Sequence, residues 1–158
     1  MKLERYFDRF HLISALDRNG LRYYPVASGV AISIGDVVIM TNGYANKATT
    51  LQGDVNVVGV AVTTNTTGEA SADGAVKVGV IPIASGHQFA VPVAATDLIT
   101  AAQVGLNYDL QNANDIDEGD AVTLGWGFQV DDIDVSAEAI AANEYGFAIG
   151  HFEFVAAS

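Results

Sequence analysis

Apolar residues recur along this chain at two different periods, and the change falls near residue 25. Over residues 3–18, Leu3, Tyr6, Phe7, Phe10, Ile13 and Leu16 fall near one helical stripe, with Glu4, Arg5, Asp8 and Arg9 off it. Asn19-Gly20 then supplies a helix stop. From Pro25 the period becomes two. Val30, Ile32 and Ile34 alternate with Ala31 and Ser33, and Gly35-Asp36 turns the chain. Val37-Val38-Ile39-Met40 is a continuous apolar run closed by Asn42-Gly43, a strong hairpin signal.

Further strands follow at short intervals. Val55–Val62 is another apolar run, bounded by the polar stretch Thr63–Gly68. Val76, Val78 and Val80 alternate with Lys77 and Gly79 up to Pro82, which ends a strand or marks a sheet edge. Phe89, Val91 and Val93 form the next set, then Val104, Leu106, Tyr108 and Leu110. The cleanest alternation places Val122, Leu124, Trp126, Phe128 and Val130 on one face. Phe147 and Ile149 have odd parity, Phe152 and Phe154 even, and a bulge at Gly150 would reconcile them. Ala94–Val104 and Val135–Asn143 are less β-like and read as a helical turn or two each. Roughly eight to ten short strands with turn signals about every 8–12 residues predict an all-β protein, a single sandwich or barrel-like domain of antiparallel strands. The expected organisation is an N-terminal arm at residues 1–24, with or without a short helix, and a β domain at 25–158.

Composition supports a self-sufficient core. Of the 158 residues half are apolar and 16% charged, and a chain of this size buries about 68–70% of its unfolded surface. No cysteine is present, which excludes a disulfide framework and thiolate chemistry and fits assembly in a reducing cytoplasm. No apolar run approaches the roughly 20 residues that span a bilayer, so no membrane role is expected.

Charge is distributed unevenly. Residues 1–22 hold five of the seven basic residues and carry a net charge of +2; the rest of the chain carries −14. A body this acidic repels phosphate backbones and excludes nucleic acid as an expected partner. The basic N-terminal segment has two readings. It packs as a helix on its own domain, or it docks as an arm on an acidic neighbour. In the second reading Lys2, Arg5, Tyr6, Phe7, Arg9, Phe10, Arg18 and Arg22 are the interface residues.

The sequence carries no recognisable reaction centre. Ser85-Gly86-His87 sets a hydroxyl beside an imidazole, but without the elbow that activates a serine. Asp115, Asp117, Glu118 and Asp120, followed by Asp131, Asp132 and Asp134, offer carboxylates to a hard cation. Ile116 interrupts the register of a calcium loop, and the default is a solvated acidic loop. Gly125-Trp126-Gly127 lacks the third glycine of a dinucleotide loop. Trp126 falls on an apolar strand face and reads as core. Asn65-Thr66-Thr67 fits a glycosylation sequon, which matters only in a secreted protein. No catalytic residue, metal ligand or cofactor is assigned, and the chain is expected not to be an enzyme.

The order of residues in the body resembles that of tailed-bacteriophage capsid decoration (cement) proteins. The resemblance rests on Val26–Val38, Asn42-Gly43-Tyr44, Val57–Val62, Gly74–Val80 and Asp97–Tyr108, spanning about residues 26–135. It is one of cadence, and residues 1–22 lie outside it. It implies a compact β protein made in the host cytoplasm and bound to the outer surface of the virion capsid. Its partners would be the major capsid protein and itself, as a homotrimer bridging capsid subunits. A tail, fibre or baseplate component, or a calcium- or carbohydrate-binding β module, are the alternative readings.

Overall fold

The computed structural model describes residues 9–12, 20–53, 55–64, 72–83, 87–94 and 97–156. The protein is all-β, as its alternating pattern predicts, with two antiparallel sheets packed together. The strands are β1 (His11–Leu12), β2 (Arg22–Pro25), β3 (Val37–Thr41), β4 (Tyr44–Lys47), β5 (Val57–Ala61), β6 (Lys77–Pro82), β7 (Phe89–Pro92), β8 (Asn107–Asn112), β9 (Asp115–Ala121), β10 (Gly125–Asp134) and β11 (Phe147–Val155). One sheet has the order β1-β7-β11-β10-β8-β9 and the other β2-β6-β5-β3-β4. Both sheets curl: a parallel bridge joins Val26, after β2, to Ala45 of β4 at the two ends of the five-stranded order, and another joins Val93, after β7, to Ile116 of the end strand β9.

The continuous apolar runs now have a reason. Strands β3, β5 and β6 of the five-stranded sheet are buried on both faces. Val37, Val57, Val60 and Ile81 join a core shared with Phe89, Val91, Phe128 and Val130 of the facing sheet. Val38, Ala61, Val78 and Val80 point the other way, into a second core inside the curl, with Val26 and Ile32. A strand with two dry faces loses the polar positions that alternation would otherwise require. Asn42 and Gly43 both take positive φ, 52° and 84°, the two-residue turn whose twist suits the β3–β4 hairpin.

Several expectations shift. Val30–Ile34 is not a strand. Asp36 accepts a hydrogen bond from the Ser33 N–H at 2.8 Å and holds the segment as a loop, so that Ile32 is fully buried in the inner core with Val30 packed at its side, while Ile34 is exposed. The helical stripe over 3–18 is not continuous either, since His11–Leu12 is a strand paired to β7. On either side of the expected division at residue 24, β1 and Arg22–Pro25 are sheet members. Val104, Leu106 and Leu124 lie in turns and are exposed. The first two follow a 3-10 turn, Ala101–Gln103, capped reciprocally by Thr100 and Gln103. The Val135–Asn143 stretch forms α1 (Ala137–Ala142), started by Ser136.

The bulge lies in β10, not at Gly150. Val130 pairs with Gly150 and Asp132 with Ile149, leaving Asp131 as the extra residue. β11 runs unbroken, so its two parities face opposite ways. Ala148 and Phe152 look into the shared core, while Phe147 is buried from the other side. Gly150 is required beside the bulge, because a Cβ there would run into the Gln129 carbonyl. Asp131 is held on the outer surface by Gln88 Nε2, which donates at 3.2 Å, and by His151 Nδ1 at 2.7 Å.

Two polar and aromatic fastenings complete the body. Asp109 on β8 is almost fully buried; its carboxylate accepts hydrogen bonds from Thr50 Oγ1, Leu51 N and Leu110 N, tying the loop after β4 to the facing sheet. Phe10 is 3% exposed, with its ring 5.3 Å from Phe128 and from Phe152 and 6.2 Å from Phe89, centroid to centroid. Phe10→Ala should therefore destabilise the fold by about 3–5 kcal/mol in denaturant melts, the cost of emptying a large aromatic site. Asp109→Ala should cost about 3 kcal/mol, because buried donors lose a charged acceptor. A change below about 1 kcal/mol in either would remove that residue from the framework.

Candidate interaction surface

Topology gathers exposed apolar side chains at one end of the six-stranded sheet. β7 ends there, β8 begins, β10 ends and β11 begins. The connections at that end, residues 97–106 and 135–146, carry Leu98, Val104, Leu106, Val135 and Ile140, between 36% and 48% exposed. Segment 104–106 is laced to β10: Gly105 N donates to Val130 O at 2.7 Å, and Val130 N to Leu106 O at 3.0 Å. Ile99 N donates to Tyr145 O at 3.0 Å, joining the two connections. Ile99 and Val135 both pack against Gly146, drawing the two connections together. Large apolar groups held outward by hydrogen-bonded backbone are a feature of protein-binding surfaces.

This end is acidic. Asp97, Asp132, Glu138 and Glu144 are exposed and Asp134 is half-buried. Asp132 Oδ1 accepts from Ile133 N and Asp134 Oδ1 from Ser136 N, so both carboxylates are held in place. This end therefore carries five exposed apolar side chains among acidic ones.

The residues singled out from sequence are placed differently. Arg9 lays its side chain against Gly35 and donates from Nη1 to Ile34 O at 3.0 Å. It lies near Asp36, so the attraction between the basic segment and the acidic body is used within one chain. Phe10 is a core residue and is corrected from the interface set. Arg22 is exposed on β2, next to Tyr23 at 61% exposure. Lys2, Arg5, Tyr6, Phe7 and Arg18 lie outside the described residues.

The chemical candidates do not converge. Ser85 and the Asn65 sequon lie outside the described residues, and His87 Nδ1 sits 3.1 Å from the Pro82 carbonyl. Among the described residues, no three His, Asp or Glu side chains are grouped as metal ligands. The acids of 115–120 form strand β9 at the edge of its sheet, where charge discourages pairing with another chain. Trp126 is half-buried against the shared core, in an edge-to-face contact with the exposed Phe154 at 5.6 Å.

Sequence reasoning missed the apolar end because strand parity assigned Val104 and Leu106 to the core. The available signal was Thr100-Ala101-Ala102-Gln103, a reciprocal cap that interrupts the strand pattern.

Burial raises the pKa of Asp36, Asp115 and Glu118 above the ordinary carboxylate range. Asp36 is partly relieved by the Ser33 N–H, Lys47 and Arg9; Glu118 is partly relieved by the Asp97 N–H and pushed back up by the Asp117 and Asp97 carboxylates. The Glu118 Oε2 is shielded from water without a donor among the described residues. Groups with raised folded pKa bind more protons folded than unfolded, so their stabilising contribution is present at low pH and lost as pH rises through the folded pKa. The midpoint of thermal unfolding should accordingly be higher at pH 5 than at pH 7.5, and Glu118→Gln should raise it at pH 7.5 and flatten the slope. The opposite slope would sink this assignment.

No family model, curated protein or solved structure matches the chain.

Proposed function

We propose that this protein is a structural adhesive, a capsid decoration protein that binds the outer surface of a phage head and bridges major capsid protein subunits as a homotrimer. The observation that carries the reading is the apolar end of the six-stranded sheet, where Leu98, Val104, Leu106, Val135 and Ile140 stand out from a rigid framework among acidic side chains. Such a surface fits a protein partner that offers apolar side chains among basic ones. The cadence shared with cement proteins supports the same reading and supplies the identity of the partner.

The mechanism is adhesion. Each copy contributes a modest contact, and three copies held by cyclic symmetry multiply it, because detachment then requires several contacts to break together. The acidic remainder keeps the protein soluble at high local concentration.

Co-sedimentation with heads stripped of the protein tests this. Leu106→Asp and Ile140→Asp change exposed positions and should leave the melting curve within a few degrees of the parent. Each should weaken head binding by at least about tenfold, or about 1.4 kcal/mol. Deleting residues 1–8, which spares Phe10, should preserve folding and weaken binding if the basic segment reaches a neighbour. Undiminished head binding in both aspartate variants would overturn the apolar end as the contact. Sedimentation equilibrium of a monomer at all concentrations, bound to heads or free, would overturn the trimer.

A further inference from the structure

We propose that a cleft between the two sheets, at the opposite end of β8, is a binding site for a neutral saccharide. The cleft has a volume of about 500 Å³ and is lined by Asp36, Lys47, Thr49, Gln111 and Asn114 among its polar groups. Its two walls come from different sheets: Lys47 and Thr49 follow from the β3–β4 hairpin, while Gln111 and Asn114 belong to the β8–β9 hairpin. A volume of several hundred Å³ with a few convergent polar groups is the usual form of a small-molecule site.

The lining groups select the ligand class. Among the described residues, no hydrogen bond occupies the side chains of Lys47, Thr49, Gln111 or Asn114, so their capacity is open toward the cleft. A hydroxyl and two carboxamides each both donate and accept, which matches a sugar hydroxyl. Asn112 is differently engaged, its Nδ2 donating to both Asp115 carboxylate oxygens at 3.1 and 3.3 Å, and it anchors the hairpin. The partly exposed Ala113 supplies a small apolar patch for the C–H face of a ring, while Ala48 is buried behind it in the shared core.

Other ligands are disfavoured by the same residues. Lys47 interacts with the buried Asp36 carboxylate, so neither a strong anion nor a strong cation finds an uncompensated countercharge. An extended peptide would need free main-chain groups, but Val37 N already donates to Ala113 O at 2.7 Å and Ala48 N to Val37 O at 2.9 Å. With no aromatic ring in the lining, binding is weak, with a Kd of about 1 mM.

Proton–nitrogen correlation spectra of the full chain titrated with glucose, galactose, N-acetylglucosamine and their neutral disaccharides test the site. At least one sugar should shift the side-chain amide signals of Gln111 and Asn114 together with the Thr49 main-chain signal. Thr49→Ala and Gln111→Ala lie at exposed positions; each should weaken binding at least about fivefold with an unchanged melting curve. Absence of shifts with every sugar at about 50 mM, well above the expected Kd, would overturn the site. Shifts that persist undiminished in both variants would overturn it as well. Equal or larger shifts of these signals with acetate or phosphate would overturn the neutral ligand class. Head binding is read separately, so this result and that of the apolar end are independent.

Discussion

The double-sided burial of the five-stranded sheet is the constraint from which the remaining architecture follows. Once β3, β5 and β6 contribute to a core on each face, neither core can be closed by strands alone. The inner one needs Ile32, delivered by a loop that Asp36 folds over it. The shared one needs Phe10, delivered from near the N-terminus and seated among Phe89, Phe128 and Phe152. Burying a ring of that size contributes about 2–3 kcal/mol, a sizeable part of the net stability of a small domain. Phe10 and β1 are thus part of the fold.

The same constraint decides where charge goes. Apolar residues are consumed by two cores, and the acids collect on edges and connections: β9 at one margin, and Asp97, Asp132, Asp134, Glu138 and Glu144 around one end. An edge strand with four acids in seven residues resists pairing with another sheet. Adhesion, if it uses the remaining exposed apolar groups, is thereby directed to the end of the sheet and away from its edges. Arg9 is held against Gly35 near Asp36, so its charge is used within the chain.

Much of the fold was legible because burial and backbone geometry leave local marks. Asn42-Gly43 predicted its hairpin, and the apolar runs at Val37–Met40 and Val55–Val62 predicted strands, since two dry faces erase polar positions. What was not legible depended on groups distant in sequence. Val30–Ile34 alternates like a strand but obeys the carboxylate of Asp36. Phe10 lies on a helical stripe, yet its site is built by Phe89, Phe128 and Phe152, from 79 to 142 residues away. Asp131 gives no sign of being a bulge until β11 lies beside it. The apolar end was hidden for the opposite reason: strand parity continued through Val104 and Leu106, although the Thr100–Gln103 cap had already ended it.

Strand β8 links the two surfaces that carry the functional readings. Asn107 begins it at the apolar end, and Asn112 closes it at the cleft, with Asp109 fastened between them to the loop that carries Thr49 and Thr50. A strand of six residues spans about 20 Å, so the two surfaces lie at opposite ends of one rigid element. A copy attached through Leu98, Leu106 and Ile140 would therefore hold Gln111 and Asn114 away from the contact. The cleft could then take a ligand without competing for the shell, and occupancy at one end would leave affinity at the other unchanged unless β8 itself were displaced. Asp109, with three donors on one buried carboxylate, is the residue that resists such displacement.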